Sequence, residues 1–133
     1  QAIKRWLQDH PQETAELLSH NESYVFFTFS ENGPLGNISV PLTPGRSIAL
    51  DHRIFPKGSL AWLNTRKPVV QDGQVQGWEN FSRPVMVQDT GGAIRGPGRV
   101  DLFFGHGMTQ EVGAGHMKEK GQLYFLVMKP EED

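Results

Sequence analysis

A chain of 133 residues, 37% hydrophobic and 21% charged, is long enough for one hydrophobic core and too short for two. Its formal net charge of −2 argues against nucleic acid or an anionic membrane as partner, since both need a basic patch. With no cysteine, a disulfide framework and a thiolate zinc site are excluded, a composition that suits cytoplasm and periplasm alike. No apolar run approaches the ~20 residues of a membrane span, and neither a signal peptide nor a lipid-attachment cysteine is visible. Opening at Gln1 inside an amphipathic pattern, the chain reads as a segment of a longer protein.

Taken in order, Ile3, Trp6 and Leu7 fall at i, i+3 and i+4 and predict a short helix. Pro11 ends it and suits the first position of a second helix, whose inner face is Ala15 and Leu18. This hairpin, residues 1–22, is either a helical cap on the rest of the fold or a connector to another domain. Residues 23–129 form the main unit. Ser23–Phe29 predicts an aromatic strand, and residues 32–36 a turn. Short strands follow at Ile38–Val40, Ser47–Leu50, Leu60–Leu63 and Val69–Gln71. Asp72-Gly73 signals a hairpin into Val75–Trp78. Strands at Pro84–Asp89 and Val100–Phe104, a short helix at Thr109–Val112 and a last strand at Leu123–Met128 complete the series. The tail, residues 130–133, reads as disordered. Many short strands punctuated by Gly 15 and Pro 9 predict a mainly β fold, a closed barrel rather than a sandwich of long hairpins.

One stretch organises the chemistry: Asp89-Thr90-Gly91-Gly92-Ala93-Ile94-Arg95-Gly96, then Arg99-Val100-Asp101-Leu102-Phe103-Phe104-Gly105. Period-2 alternation puts Asp89 at a strand end above a glycine turn, and Asp101 on one strand face with Arg99 and Phe103. An apolar setting beside an aromatic ring favours a carboxylic acid in its protonated form, as glycosidic bond cleavage requires.

The alternatives are poorer. The five histidines show no pair at metal-ligand spacing, so no metal site is predicted and no cofactor is implied. The glycine loop lacks a Lys-Ser/Thr and runs into a strand rather than a helix, unlike a phosphate cradle. No serine sits in a Gly-x-Ser-x-Gly elbow.

This stretch, with Asp51-His52-Arg53-Ile54-Phe55-Pro56-Lys57-Gly58, Gly113-Ala114-Gly115-His116-Met117-Lys118 and Leu123–Lys129, resembles the three-aspartate (3D) domain of the membrane-bound lytic murein transglycosylase A family. The likeness runs from about Tyr24 to Lys129. It implies a double-psi β-barrel, with the N-terminal helical hairpin added to it. It also implies a non-hydrolytic cleavage of peptidoglycan glycan strands, between N-acetylmuramic acid and N-acetylglucosamine, giving 1,6-anhydro ends. A single aspartate serves as acid and then base, so no water and no second carboxylate are needed. On this resemblance the acid/base is Asp101, with Asp89 as an active-site support residue. Asp51, Gly91, Gly92 and Phe103 are candidate substrate contacts. A second, substrate-binding domain and an outer-membrane anchorage in the periplasm are implied too; a monomer is expected.

Plainer readings stand beside these. Asp101 pairs with Arg99 or Arg95 as a structural aspartate. Asp89 is an Asx-type cap on local N–H groups. Asp51 is a turn cap or ion pair with Arg53. Gly91 and Gly92 either admit sugar to the backbone or adopt positive φ. Trp62, Trp78 and Tyr124 are core aromatics. Two rival functions remain: an expansin-type module that binds cell-wall glycan without cutting it, and an inverting glycosidase in which Asp89 activates water.

Overall fold

The computed structural model describes residues 2–24, 26, 27, 29–31 and 33–130. Two helices open the chain, α1 (Ala2–Asp9) and α2 (Thr14–Ser19). Then come strands β1 (Ser47–Ala49), β2 (Leu60–Gln71), β3 (Gln74–Asp89) and β4 (Asp101–Leu102), helix α3 (Met108–His116) and strand β5 (Gln122–Phe125). All five strands form one sheet in the order β4-β1-β3-β2-β5. β1 runs parallel to β3, and the other pairs are antiparallel.

The centre of the sheet departs from the sequence expectation. Four predicted short strands merge into one long hairpin, β2 with β3, whose pairing runs from Leu60↔Met86 to Gln71↔Gln74 with one register shift between Val69 and Val70. The polar run Asn64–Lys67 and the two prolines hid this continuity. Lys67 and Glu79 face each other across the hairpin and form an ion pair at 2.9 Å, so the charges stabilise pairing there. Pro84 turns its carbonyl toward Arg46, whose Nη1 donates to it at 3.0 Å. Its missing N–H therefore lies on a side where β1 has not yet begun to pair. The tip is the predicted Asp72-Gly73 turn, with φ of 51° and 71° at the two residues, the left-handed pair that matches strand twist.

Alternation then builds the core. Ala61 and Leu63 point inward from β2, and Phe81, Val85 and Val87 from β3. They meet Ile48 and Leu50, all nearly inaccessible to solvent. Phe55 and Phe125 stack at 5.0 Å on the margin. The opposite face carries Leu60, Trp62, Met86 and Tyr124, half-exposed, so Trp62 and Tyr124 are not core aromatics.

Other expectations shift in extent. Residues 38–40 form a bend closed by a Leu35↔Pro41 bridge, not a strand. The described residues of 23–29 are in no strand, with Tyr24, Phe26, Phe27 and Phe29 exposed. α3 runs on through Gly113 and Gly115, because Gly113 packs where a Cβ would press the Phe104 ring at 3.3 Å. β4 and β5 are shorter than predicted, although Leu126 N–H still donates to Leu60 O at 2.9 Å. The N-terminal helices form as predicted, except that Pro11 lies in the turn between them and neither helix buries a residue. The expectation of a disordered tail lies outside the described residues beyond Pro130.

Candidate active site

Ala49 organises the site. It pairs with Asp89 of β3 on one side and with Asp101 of β4 on the other. Residues in register across a sheet share a face, so both carboxylates flank the small Ala49 methyl, with Cα atoms about 10 Å apart by two strand spacings. A bulge between Ile48 and Ala49 brings Asp89 into that register. The glycine turn after Asp89 closes the other wall. Together they line an open cavity of about 440 Å³ that includes Asp89, Thr90, Gly91, Gly92, Arg99, Asp101 and Phe103.

Asp101 is not desolvated as the sequence suggested. Its side chain is 43% exposed, and a guanidinium forks it: Arg99 Nε donates to Oδ1 and Nη2 to Oδ2, each at 2.9 Å. Arg99 Nη1 donates to Ala93 O at 2.8 Å, fastening the fork to the glycine turn. The carboxylate raises the Arg99 guanidinium above its ordinary range, through that hydrogen bonding first and charge second. Arg95, the other candidate partner, instead donates to Gly91 O and Ile94 O at 3.1 and 3.0 Å.

Asp89 is not a local Asx cap. Its Oδ1 accepts the backbone N–H of Asn37 at 3.1 Å, a residue 52 positions earlier, and so ties the 34–42 turn to the cavity rim. Gly36 makes this approach possible, since a Cβ there would lie 2.3 Å from Gln88 O.

Asp51 lies behind the site rather than in it. Only 1% exposed, it does not line the cavity. Its Oδ1 accepts from Arg53 N and Nε at 3.1 and 3.0 Å, and its Oδ2 from Arg53 Nη2 and Gly96 N, both at 2.9 Å. The Arg53 side-chain bonds first, then the Gly96 N–H, hold its carboxyl well below the usual carboxylate range. The result braces the far end of the glycine loop at Gly96, whose φ is +82°. Positive φ is therefore needed at Gly96, not at Gly91 or Gly92. Gly92 instead has open space where a Cβ would stand, and Gly91 lies close against Ile94.

Sequence reasoning missed Ser47 and the role of His52. Ser47 lines the cavity although nearly inaccessible, accepting from Thr43 N at 2.8 Å and donating to Gln88 Oε1. His52 Nδ1 lies 3.1 Å from Thr90 Oγ1 and orients that hydroxyl at the cavity wall. Neither spacing nor periodicity announces the Ser47–Gln88 and His52–Thr90 contacts, which join residues 41 and 38 apart. Among the described residues, no cluster of three or more His, Asp or Glu fits a metal ion, and no helix is long and apolar enough to cross a membrane.

The chain matches known proteins along nearly its whole length. A family model described as the 3D domain matches residues 46–127, and another described as the MltA specific insert domain matches residues 1–28. Membrane-bound lytic murein transglycosylase A of Vibrio cholerae is 36% identical over 128 residues, covering 94% of this chain and 34% of that protein. The crystal structure of MltA from Neisseria gonorrhoeae superposes with a TM-score of 0.75 at 36% identity, covering 97% of this chain and 32% of that one. E. coli MltA with bound chitohexaose gives a TM-score of 0.65 at 30% identity, covering 98% and 39%. The chain thus spans about a third of the length of the relatives it matches. These likenesses establish a mainly β fold of double-psi barrel type, with the short helical hairpin at its N-terminus.

Proposed function

The chain belongs to the 3D domain family, within the membrane-bound lytic murein transglycosylase A group, and from that membership we propose that it carries the catalytic barrel of a peptidoglycan lytic transglycosylase. Residues 23–129 are the catalytic unit in this reading. The observation that carries it is the placing of Asp101 and Asp89 on either side of Ala49, in one open cavity walled by the glycine turn.

Asp101 is the acid/base. In its protonated form it gives its proton to the glycosidic oxygen between N-acetylmuramic acid and N-acetylglucosamine, and the C1–O bond breaks. The resulting carboxylate takes the proton of the muramyl C6 hydroxyl as that oxygen bonds to C1. Asp101 ends as it began, the product is a 1,6-anhydro end, and no water is consumed. Asp89 supports the site through its hold on Asn37. Phe103 offers a ring face to the sugar, and Gly92 leaves space for it at the backbone. The chitohexaose bound by the E. coli relative supports a glycan strand as ligand. A second domain supplying the rest of the groove, and residence in the cell envelope, belong to the same proposal.

An inverting hydrolysis would ask Asp89 to activate water. One of its oxygens already holds Asn37 N–H, which favours the support role. Mass spectrometry of products from purified cell-wall sacculi decides between them. Products one water lighter than hydrolytic ones, absent with Asp101→Asn, are expected. Hydrolytic products would select the glycosidase, and binding without any product the expansin-type module.

A further inference from the structure

The Arg99–Asp101 fork conflicts with the work asked of Asp101, and its resolution identifies a further residue for the reaction; the inference rests on the reading of this cavity as a glycan site. Two parallel N–H bonds at 2.9 Å occupy the inward-facing lone pairs of both carboxylate oxygens. A proton to be given to a glycosidic oxygen weakens that fork, because a neutral carboxyl is a poorer acceptor for a guanidinium than a carboxylate. The fork therefore suits Asp101 as base, and the acid form loosens one arm of the guanidinium.

Arg99 is built to move in this way. Its side chain is 48% exposed, so glycan can reach it. Its third bond, Nη1 to Ala93 O at 2.8 Å, is a pivot on the cavity wall that survives when either arm swings away. A released N–H must find an acceptor, since a bare guanidinium donor has lost its bond to a charged group. A neutral glycan offers hydroxyls, ring oxygens and acyl oxygens, of which an amide carbonyl is the strongest acceptor.

We propose that Arg99 is a positioning residue that transfers one hydrogen bond from Asp101 to the acetamido carbonyl of an N-acetylated sugar, freeing Asp101 to hold the proton. Glycan recognition and the acid form of Asp101 are thereby coupled through one side chain. Besides the two members of the fork, Asp89 is the charged residue that lines the cavity. The arrangement also makes the N-acetyl group a requirement, beyond the general shape of a β-1,4 glycan.

The test is side-chain ¹⁵N spectroscopy of the arginine Nε–H groups, with Arg99 assigned by its loss in Arg99→Lys. The probes are chitohexaose and cellohexaose, which bears a hydroxyl in place of each acetamido group. Chitohexaose is expected to shift the Arg99 Nε–H signal together with the Thr90 and Gly92 amides, and cellohexaose to leave the Arg99 signal in place. Arg99→Lys, which keeps the charge but cannot fork, should keep the wild-type backbone amide spectrum and bind chitohexaose about tenfold more weakly. Shifts at Thr90 and Gly92 with a fixed Arg99 signal would overturn the transfer while leaving the glycan site standing. Equal shifts of Arg99 by both sugars would overturn the acetamido assignment. No shift anywhere in the cavity would overturn both the site and this inference.

Discussion

Gly36→Ala is the sharpest test of how the site is held together. The glycine packs its α-carbon against β3, where an added Cβ would stand 2.3 Å from Gln88 O and 2.8 Å from Leu42 Cδ2. Leu42 can rotate away. Gln88 O cannot, because it is backbone of the strand that carries Asp89. The 34–42 turn must retreat by about 0.7 Å to reach even the 3.0 Å limit of real Cβ contacts. Asn37 N–H, now 3.1 Å from Asp89 Oδ1, would move to about 3.8 Å, beyond hydrogen-bonding reach. Overpacking of this kind costs about 1–3 kcal/mol. In a small domain each kcal/mol lowers Tm by roughly 4–8 °C. Calorimetry gives the stability loss, and amide hydrogen exchange at Asn37 reads the broken tie directly. A variant with unchanged Tm and a still-protected Asn37 amide would refute the close approach and the role of Gly36.

The remaining predictions concern the brace, the core and the acid. Asp51 has a lowered folded-state pKa, so its contribution to stability is present above its ordinary value of about 3.8 and is lost as pH falls below it toward the folded value. Asp51→Asn should therefore be less stable at neutral pH and lose less between pH 4 and lower pH; parallel denaturation slopes for both proteins there would refute the assignment. Leu50→Ala removes a side chain with no exposed surface and should cost about 2–5 kcal/mol in urea unfolding, whereas a cost under 1 kcal/mol would mean the core is misplaced. Asp101→Asn should keep the wild-type fold by circular dichroism and lose anhydro-product formation. Retained activity would move the acid/base to another group.

Legibility followed the range of the interactions. The Asp72-Gly73 turn, the inward alternation on β3 and the two N-terminal helices are local, governed by φ preference and by side-chain period, and they are visible in the sequence. The long hairpin was not, because Asn64–Lys67 and Pro84 look like strand breakers until Glu79 and Arg46 are seen to satisfy them. Asp101 and Asp89 were found from their motif. The Arg99 partner of Asp101 was among the plainer readings, two residues away, but its exposure and the Asn37 contact of Asp89 were not, since desolvation and a local cap were reasonable inferences from neighbours in sequence.

By itself, then, the sequence determined the family, the mainly β class and the three aspartates, because these rest on residue types in fixed order. Only the tertiary structure separated the aspartates by role. A parallel strand with a bulge sets Asp89 and Asp101 about Ala49, the Gly96 backbone N–H ties the buried Asp51 to the loop, and a guanidinium takes Asp101 by both oxygens. The physical reason is that a carboxylate behaves according to the donors around it and its exposure. Arg53 and Arg99 stand two residues from the carboxylates they hold, whereas the donors from residues 37 and 96 are brought to Asp89 and Asp51 by the folding of the sheet and its loops.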